Sequence, residues 1–214
     1  MSRTDQYFIL KDKRKLGFAE YGNLHSFPII YCHGSQSSRL ETHYDLSFAT
    51  TNNLRIITID RSGHGNSDFN PKGTILGYAS EVEELIQHLK ISKFSVAGML
   101  AGGPFALGIA YFFPDKVHKV SIISGFAPFN RESKKYLSKE VKSMLRMAKS
   151  FPFLLRVLLK LQEKQINKDP KKVLQNFVKI MNAPDQEVLK NNAAQKTIEN
   201  MLKEAYRNGS RGIA

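Results

Sequence analysis

The chain has 214 residues, 42% hydrophobic and 24% charged, enough for one substantial core and ordinary for a globular protein. No apolar run approaches the roughly 18 residues of a membrane-spanning helix, and residues 1–6 lack the apolar stretch of a secretory signal. The single cysteine, Cys32, excludes an internal disulfide, so a reducing cytoplasm is the expected setting. The formal charge of +13 is uneven: residues 1–130 hold 13 basic and 11 acidic side chains, residues 131–214 hold 19 and 8. This contrast places a boundary near residue 130.

In chain order, residues 29–32 form an apolar strand that enters the turn His33-Gly34-Ser35. A second strand at 55–59 ends in the loop Asp60-Arg61-Ser62-Gly63-His64-Gly65-Asn66-Ser67-Asp68. The patterning then predicts a helix over about 75–90, a buried strand over 94–98, a helix over about 103–113 and a strand over 117–123. Such alternation argues for a parallel sheet flanked by helices. From residue 131 the chain reads as helix over about 131–149, 152–164, 170–182 and 184–207, with breaks at Pro152, Pro170 and Pro184. In 153–161, apolar residues recur at helical spacing beneath scattered basic ones, which predicts a cap whose apolar face covers a site mouth while its lysines face water.

Between the strand at 94–98 and the following helix lies Gly98-Met99-Leu100-Ala101-Gly102-Gly103. Small residues at 98, 101, 102 and 103 let a strand turn sharply into a helix and lift residue 100 to the end of the sheet. A serine so placed would be a nucleophile. The isobutyl group of Leu100 has no lone pair and cannot attack a carbonyl.

The His33-Gly34 turn, the 60–68 loop and the glycine turn around Leu100, each after a predicted strand, together resemble the α/β-hydrolase family. The likeness is to its small esterase and proline-iminopeptidase-like members and covers about residues 7–130. The resemblance implies an α/β fold: a mostly parallel sheet of about six strands flanked by helices. It divides the chain into a hydrolase core at 1–130 and a basic helical cap or lid at 131–214. It implies hydrolysis of a small-molecule ester or amide through an acyl-serine, with no cofactor. Leu100 would stand at the nucleophile's position. The amides of Ala101 and of Ser35 or Gln36 would line an oxyanion hole, and His33, Gly34, Asp60, Arg61, Gly98, Gly102 and Gly103 would shape the surrounding loops. Family members often carry Pro-Gly after the His-Gly turn, where this chain has Gln36-Ser37.

The family's acid and histidine base follow strands near the C-terminus. This sequence ends at Ala214, at what reads as the end of the cap, so the last two strands, the final helix, the acid and the base are expected to be absent. His25, His33, His43, His64, His88 and His118 all precede residue 119. The stretch Gly125-Phe126-Ala127-Pro128-Phe129-Asn130 has no carboxylate, and Glu132 is the nearest. Residues 117–123 would then be an open sheet edge through which copies of the chain associate.

Other polar residues read as structural. His33 and His64 serve their loops, and His88 lies on the polar side of its helix. Asp60, Arg61 and Asp68 are expected to brace one another and nearby backbone. Ser35 and Ser62 each lie two residues from a histidine, and Ser67 shares their end of the sheet, but this spacing rarely makes a productive nucleophile–base contact. No histidine pair or Cys-x-x-Cys has metal-site spacing. The glycine turns match neither a phosphate loop nor a dinucleotide fingerprint. Lysines spread over several helices without interleaved aromatics do not indicate a nucleic-acid surface.

The resulting expectation is a hydrolase relative without activity. Two alternatives are a non-catalytic binder of a hydrophobic ligand, with Leu100 on its pocket floor, and an active hydrolase completed by a second chain.

Overall fold

A computed structural model of the chain, describing residues 3–41, 46–128, 130–137 and 139–213, contains one mixed six-stranded sheet in the order β1-β2-β4-β3-β5-β6. His43 and Phe129 lie outside the described residues. β1 (Gln6–Ile9) and β2 (Lys15–Gly22) pair antiparallel, and β2 runs antiparallel to β4 (Arg55–Ile59). β3 (Pro28–Cys32), β4, β5 (Phe94–Met99) and β6 (Val117–Ile123) are parallel. They are joined through α1 (Leu46–Thr51), α2 (Ile75–His88) and α3 (Gly102–Phe112). The four parallel strands and both long core helices lie within two residues of the sequence reading. β2 is buried on both faces for most of its length, so it shows no alternation by which a sequence pattern would mark it.

α2 follows from its sequence. Thr74 caps it by accepting from the Gly77 N–H at 2.9 Å. Tyr78, Ala79, Val82, Leu85 and Ile86 then recur on one buried face. That face and α3 cover one side of the sheet, packing on Leu16, Phe18, Ile30, Cys32, Ile57, Ile59, Phe94 and Val96. On the other side α1 contributes Ala49 against Ala19 and Tyr21. Beyond it, Ile29, Tyr31, Ser95, Ala97 and Met99 are only half-buried. β6 is an outer strand of the sheet and leaves Val120, Ile122 and Ile123 exposed.

In the cap, Pro152 and Pro170 sit in the first turns of α5 (Pro152–Lys168) and α6 (Pro170–Ile180), where a missing N–H costs nothing. Asp169 caps α6 through the Lys172 N–H at 3.0 Å. The first cap helix, α4 (Lys139–Ser150), begins later than the sequence predicts, after a 3₁₀ turn at Ser133–Lys135. The single helix predicted over 184–207 divides into α7 (Ala183–Val188) and α8 (Asn192–Ala205), because the Asn191 side chain accepts from the N–H groups of Ala193 and Ala194 and starts a new helix. Ile166, Val173, Leu202, Ala205 and Tyr206 form the cap's own core. The apolar stretch at 153–161 borders a groove on the core through Phe153 and Val157 without sealing it: Phe153 is 78% exposed, and Leu154, Leu158 and Leu161 are also exposed.

Cap and core meet on a buried guanidinium. Arg39, whose side chain is 2% exposed, reaches Asp60 Oδ2 at 3.0 Å and Glu204 Oε1 of α8 at 2.6 Å through Nη1. It also pairs with Asp5 and donates from Nε to the Thr4 carbonyl at 3.0 Å. Asn208 extends the joint by donating to the carbonyls of Gly65 at 3.0 Å and Ser67 at 2.8 Å. Removing one member of a buried pair strands the other charge. Arg39→Ala is therefore expected to lower stability by about 3–5 kcal/mol, read as a fall in the urea midpoint; a change below about 1 kcal/mol, the scale of an exposed ion pair, would show that the network contributes little.

Candidate functional site

The C-terminal ends of β3, β4 and β5 lie at one end of the sheet, where the turn after β5 is closely packed. Leu100 adopts φ +48, a left-handed conformation that costs a side-chain-bearing residue roughly 1–2 kcal/mol. Its backbone is held on both sides. The Leu100 N–H donates to Ile123 O at 3.0 Å, and the Leu100 carbonyl accepts from Gly103 N–H at 3.1 Å and Phe126 N–H at 3.3 Å.

The glycines here provide clearance. A methyl on Gly102 would lie 2.0 Å from the Cys32 carbonyl oxygen, and one on Gly98 would lie 2.6 Å from Gly102 O. A methyl on Gly103 would press on Ile122 and Gly125. The turn thus carries its positive φ on Leu100, while the glycines let α3 start directly against the end of β3. The small side chain of Ala101 caps no helix N–H.

On the β3 side, His33 is fully buried with both ring nitrogens engaged. The Arg61 N–H donates to His33 Nε2 at 3.0 Å, so Nδ1 carries the proton and donates to Gly34 O at 3.0 Å. Burial holds the His33 imidazole well below its ordinary pKa, with Arg61 and His64 acting in the same direction. His64, whose ring lies 5.1 Å from that of His33, is depressed to about 3, chiefly by burial. Neither ring is placed as a base for Leu100. Ser35 is exposed, and Gln36, at φ +49, accepts from Gln162 Nε2 of α5 at 3.2 Å. Ser62 accepts from the Asn70 N–H, and Ser67 bonds Gly17 N–H and Asp60 O, so neither hydroxyl is paired with a histidine.

Asp60, Arg61 and Asp68 do not brace one another. Asp60 is held by the Arg39 side chain and by the N–H groups of Arg39 and Asn66 at 2.6 and 2.8 Å, and burial pushes its carboxyl up to about 6 against the pull of Arg39. Arg61 donates from Nη2 to Gly34 O at 2.6 Å and lies 5.1 Å over the Phe105 ring. Asp68 accepts from the Lys15 N–H at 2.7 Å. The sequence reading misses Asp60's partner because nothing in the spacing of Arg39 marks it.

It misses Glu41 as well. This carboxylate accepts from the Gly34 N–H at 3.1 and 3.0 Å and from Tyr31 Oη at 2.8 Å. It lies beside Leu100: a methyl on Gly34 would be 3.0 Å from Glu41 Oε1 and 3.6 Å from Leu100 Cδ1. Burial raises its pKa. The only sequence signal is a lone carboxylate in the loop after the His-Gly turn.

Glu132 is exposed at the start of the cap. Cys32 is a core residue whose thiol is pushed up to about 12 by burial. Among the described residues no group of His, Cys, Asp and Glu is arranged to hold a metal ion, and no helix is long and apolar enough to cross a membrane.

A mixed sheet of this order, a histidine-glycine turn after β3 and a left-handed residue packed on small neighbours after β5 agree with the α/β-hydrolase fold family, whose model matches residues 28–208. The chain belongs to that family. A serine hydrolase-like protein of Danio rerio is 28% identical over 113 residues, which is 50% of this chain and 34% of the relative. A non-heme chloroperoxidase of Streptomyces lividans is 26% identical over 119 residues, 55% of this chain and 43% of the relative. The chain thus matches less than half the length of these curated relatives. Among solved structures, an esterase from Rhodococcus sp. superposes with a TM-score of 0.67 at 15% identity, covering 98% of this chain and 72% of that one. An esterase from Exiguobacterium antarcticum gives 0.65 at 20% identity, covering 98% and 70%. Identities this low speak for the fold alone.

Two predictions test this geometry. Gly102→Ala drives a methyl into a main-chain carbonyl and is expected to cost about 3 kcal/mol, the upper end for overpacking, measured by urea denaturation; unchanged stability would mean that the turn is not packed as described. The second concerns pH. His33 and His64 are depressed in the fold, so their contribution is present above an unfolded pKa of 6.5 and is lost as pH falls, by up to about 1.4 kcal/mol per pH unit for each. Asp60, raised to about 6, acts oppositely between 6 and 3.8, and Glu41, also raised by burial, acts in the same sense as Asp60, so the two carboxyls offset part of the histidine loss. The urea midpoint is expected to be lower at pH 5 than at pH 7, and His64→Asn should narrow that gap.

Proposed function

We propose that this chain carries the frame of an ester- or amide-hydrolysing site and does not turn substrate over. The observation that carries this reading is a leucine at the left-handed residue of the turn after β5, the position at which the family's mechanism uses serine. The amides of Ala101 and of Ser35 or Gln36 are the proposed oxyanion donors, with His33, Gly34, Asp60, Arg61, Gly98, Gly102 and Gly103 shaping the loops around them. Two further observations support inactivity. His33 is neutral and bonded at both nitrogens, which removes it as a base. The Glu41 carboxylate beside Leu100 opposes a developing oxyanion, which such sites stabilise with donors. A reducing, cytoplasmic setting remains the reading of the lone buried thiol, Cys32.

A second reading, a non-catalytic binder, is favoured by one observation. A groove of about 1500 Å³ lies between cap and core, lined among others by Arg61, Tyr78, Phe105, Phe153 and Arg156. Leu100 is not part of its lining, so the ligand floor that the sequence analysis assigns to this residue is not in that groove.

The open β6 edge supports a self-association proposal: Val120, Ile122 and Ile123 would be covered if 117–123 pairs with another copy. Sedimentation of the purified chain is expected to give species of twice the monomer mass or larger, and a monomer at all concentrations would remove the proposal. On the same sample, hydrolysis of p-nitrophenyl butyrate is expected not to exceed the blank, either for this chain or for Leu100→Ser. Turnover that co-purifies with the unaltered chain would overturn the inactive reading, and turnover by Leu100→Ser alone would reveal a base among these residues.

A further inference from the structure

The groove between cap and core has an uneven charge ledger. Its acidic lining is already engaged: Asp68 accepts from the Lys15 N–H, Glu81 pairs with Arg14 at 2.6 Å, and Glu163 accepts from the Ser210 N–H at 2.9 Å. Of the three only Glu81 is neutralised by an ion pair, and four basic side chains face them. Arg61, Arg156, Lys160 and Arg211 form no ion pair with any described residue.

Arg61 is the most constrained of the four. One Nη is spent on Gly34 O, the guanidinium lies over Phe105, and its buried Nε has no hydrogen-bond partner. A desolvated guanidinium without a direct ion pair is costly, and burial lowers the Arg61 pKa although the charge of Glu41 acts against it. An anion in the groove would repay that cost. Arg156 and Lys160, four residues apart on α5, share the face toward it. Phe69, Ile75, Phe105, Phe153 and Val157 add apolar surface to a wall that is otherwise polar.

We propose that this groove binds an amphipathic anion: a single carboxylate headgroup held by Arg61, Arg156 and Lys160, with a linear apolar chain laid along Phe105, Val157 and Phe153. The proposal rests on the binder reading and is independent of events at Leu100, which lies outside the groove.

The test is calorimetric titration of the full 214-residue chain with decanoate, with decanol and decyltrimethylammonium as matched probes of chain and charge. Decanoate is expected to bind at least tenfold more tightly than decanol, with no binding of the cationic probe. The double variant Arg156→Glu/Lys160→Glu, which alters only cap side chains without ion pairs, is expected to weaken decanoate at least tenfold. Arg61→Gln should weaken it similarly, with circular dichroism confirming that it folds. Equal binding of decanoate and decanol would overturn the anion proposal and leave a hydrophobic binder. Failure of both to bind would overturn the binder reading too. Decanoate binding unchanged in both variants would place the site elsewhere and overturn the assignment to this groove.

Discussion

A guanidinium with its side chain only 2% exposed, that of Arg39, links parts of the chain otherwise far apart in sequence: the N-terminal segment through Thr4 and Asp5, the end of β4 through Asp60, and the last cap helix through Glu204. Moving either charge of Arg39 and Asp60 out of water costs several kcal/mol, recovered only when geometry supplies each with partners. The ends of β3 and β4 therefore hold one spacing. Arg61 adds a second tie between the same two loops, from its backbone to His33 and from its side chain to Gly34. The cap is tied to this clamp through Glu204 of α8 and through Asn208, while α5 keeps Phe153, Leu154, Leu158 and Leu161 exposed.

Against that fixed frame, the turn after β5 is set by backbone contacts and by the absence of side chains. Cys32 O leaves no room for a methyl at position 102, and Ile123 and Phe126 grip the N–H and C=O of residue 100. The left-handed conformation is thus imposed on whatever residue stands there. Frame and chemistry are separable for this reason: a leucine can occupy the turn at a cost of roughly 1–2 kcal/mol without disturbing the fold, while the reactivity associated with a hydroxyl is lost.

The cap's excess of basic residues has a local expression as well as a global one. Most of its lysines lie on exposed helix faces, where water solvates them cheaply. Arg156 and Lys160 are exposed too, but they border a concavity beside Arg61, a core guanidinium whose desolvation the charge of Glu41 offsets only in part. The groove consequently differs from the apolar pocket that a leucine at a catalytic position suggests.

What the sequence by itself determined is local and periodic. The parallel strands, α2, α3, the proline-initiated cap helices and the glycine turn around Leu100 announce themselves because each depends on residues close along the chain: caps, apolar spacing, small residues at a turn. The family followed from three such turns in order. β2 did not, since it is buried on both faces and carries no alternation, and β1, only four residues long, did not either. Nor did the division of the last cap helix, where one asparagine outweighs helical propensity on either side. Only the tertiary structure decided which charges meet. Asp60 pairs with Arg39 across 21 residues, Arg39 with Glu204 across 165, and Glu41 comes to lie beside Leu100. The physical reason is that electrostatic and hydrogen-bond partners are chosen by proximity in space after the strands have aligned, and no spacing along the chain encodes them.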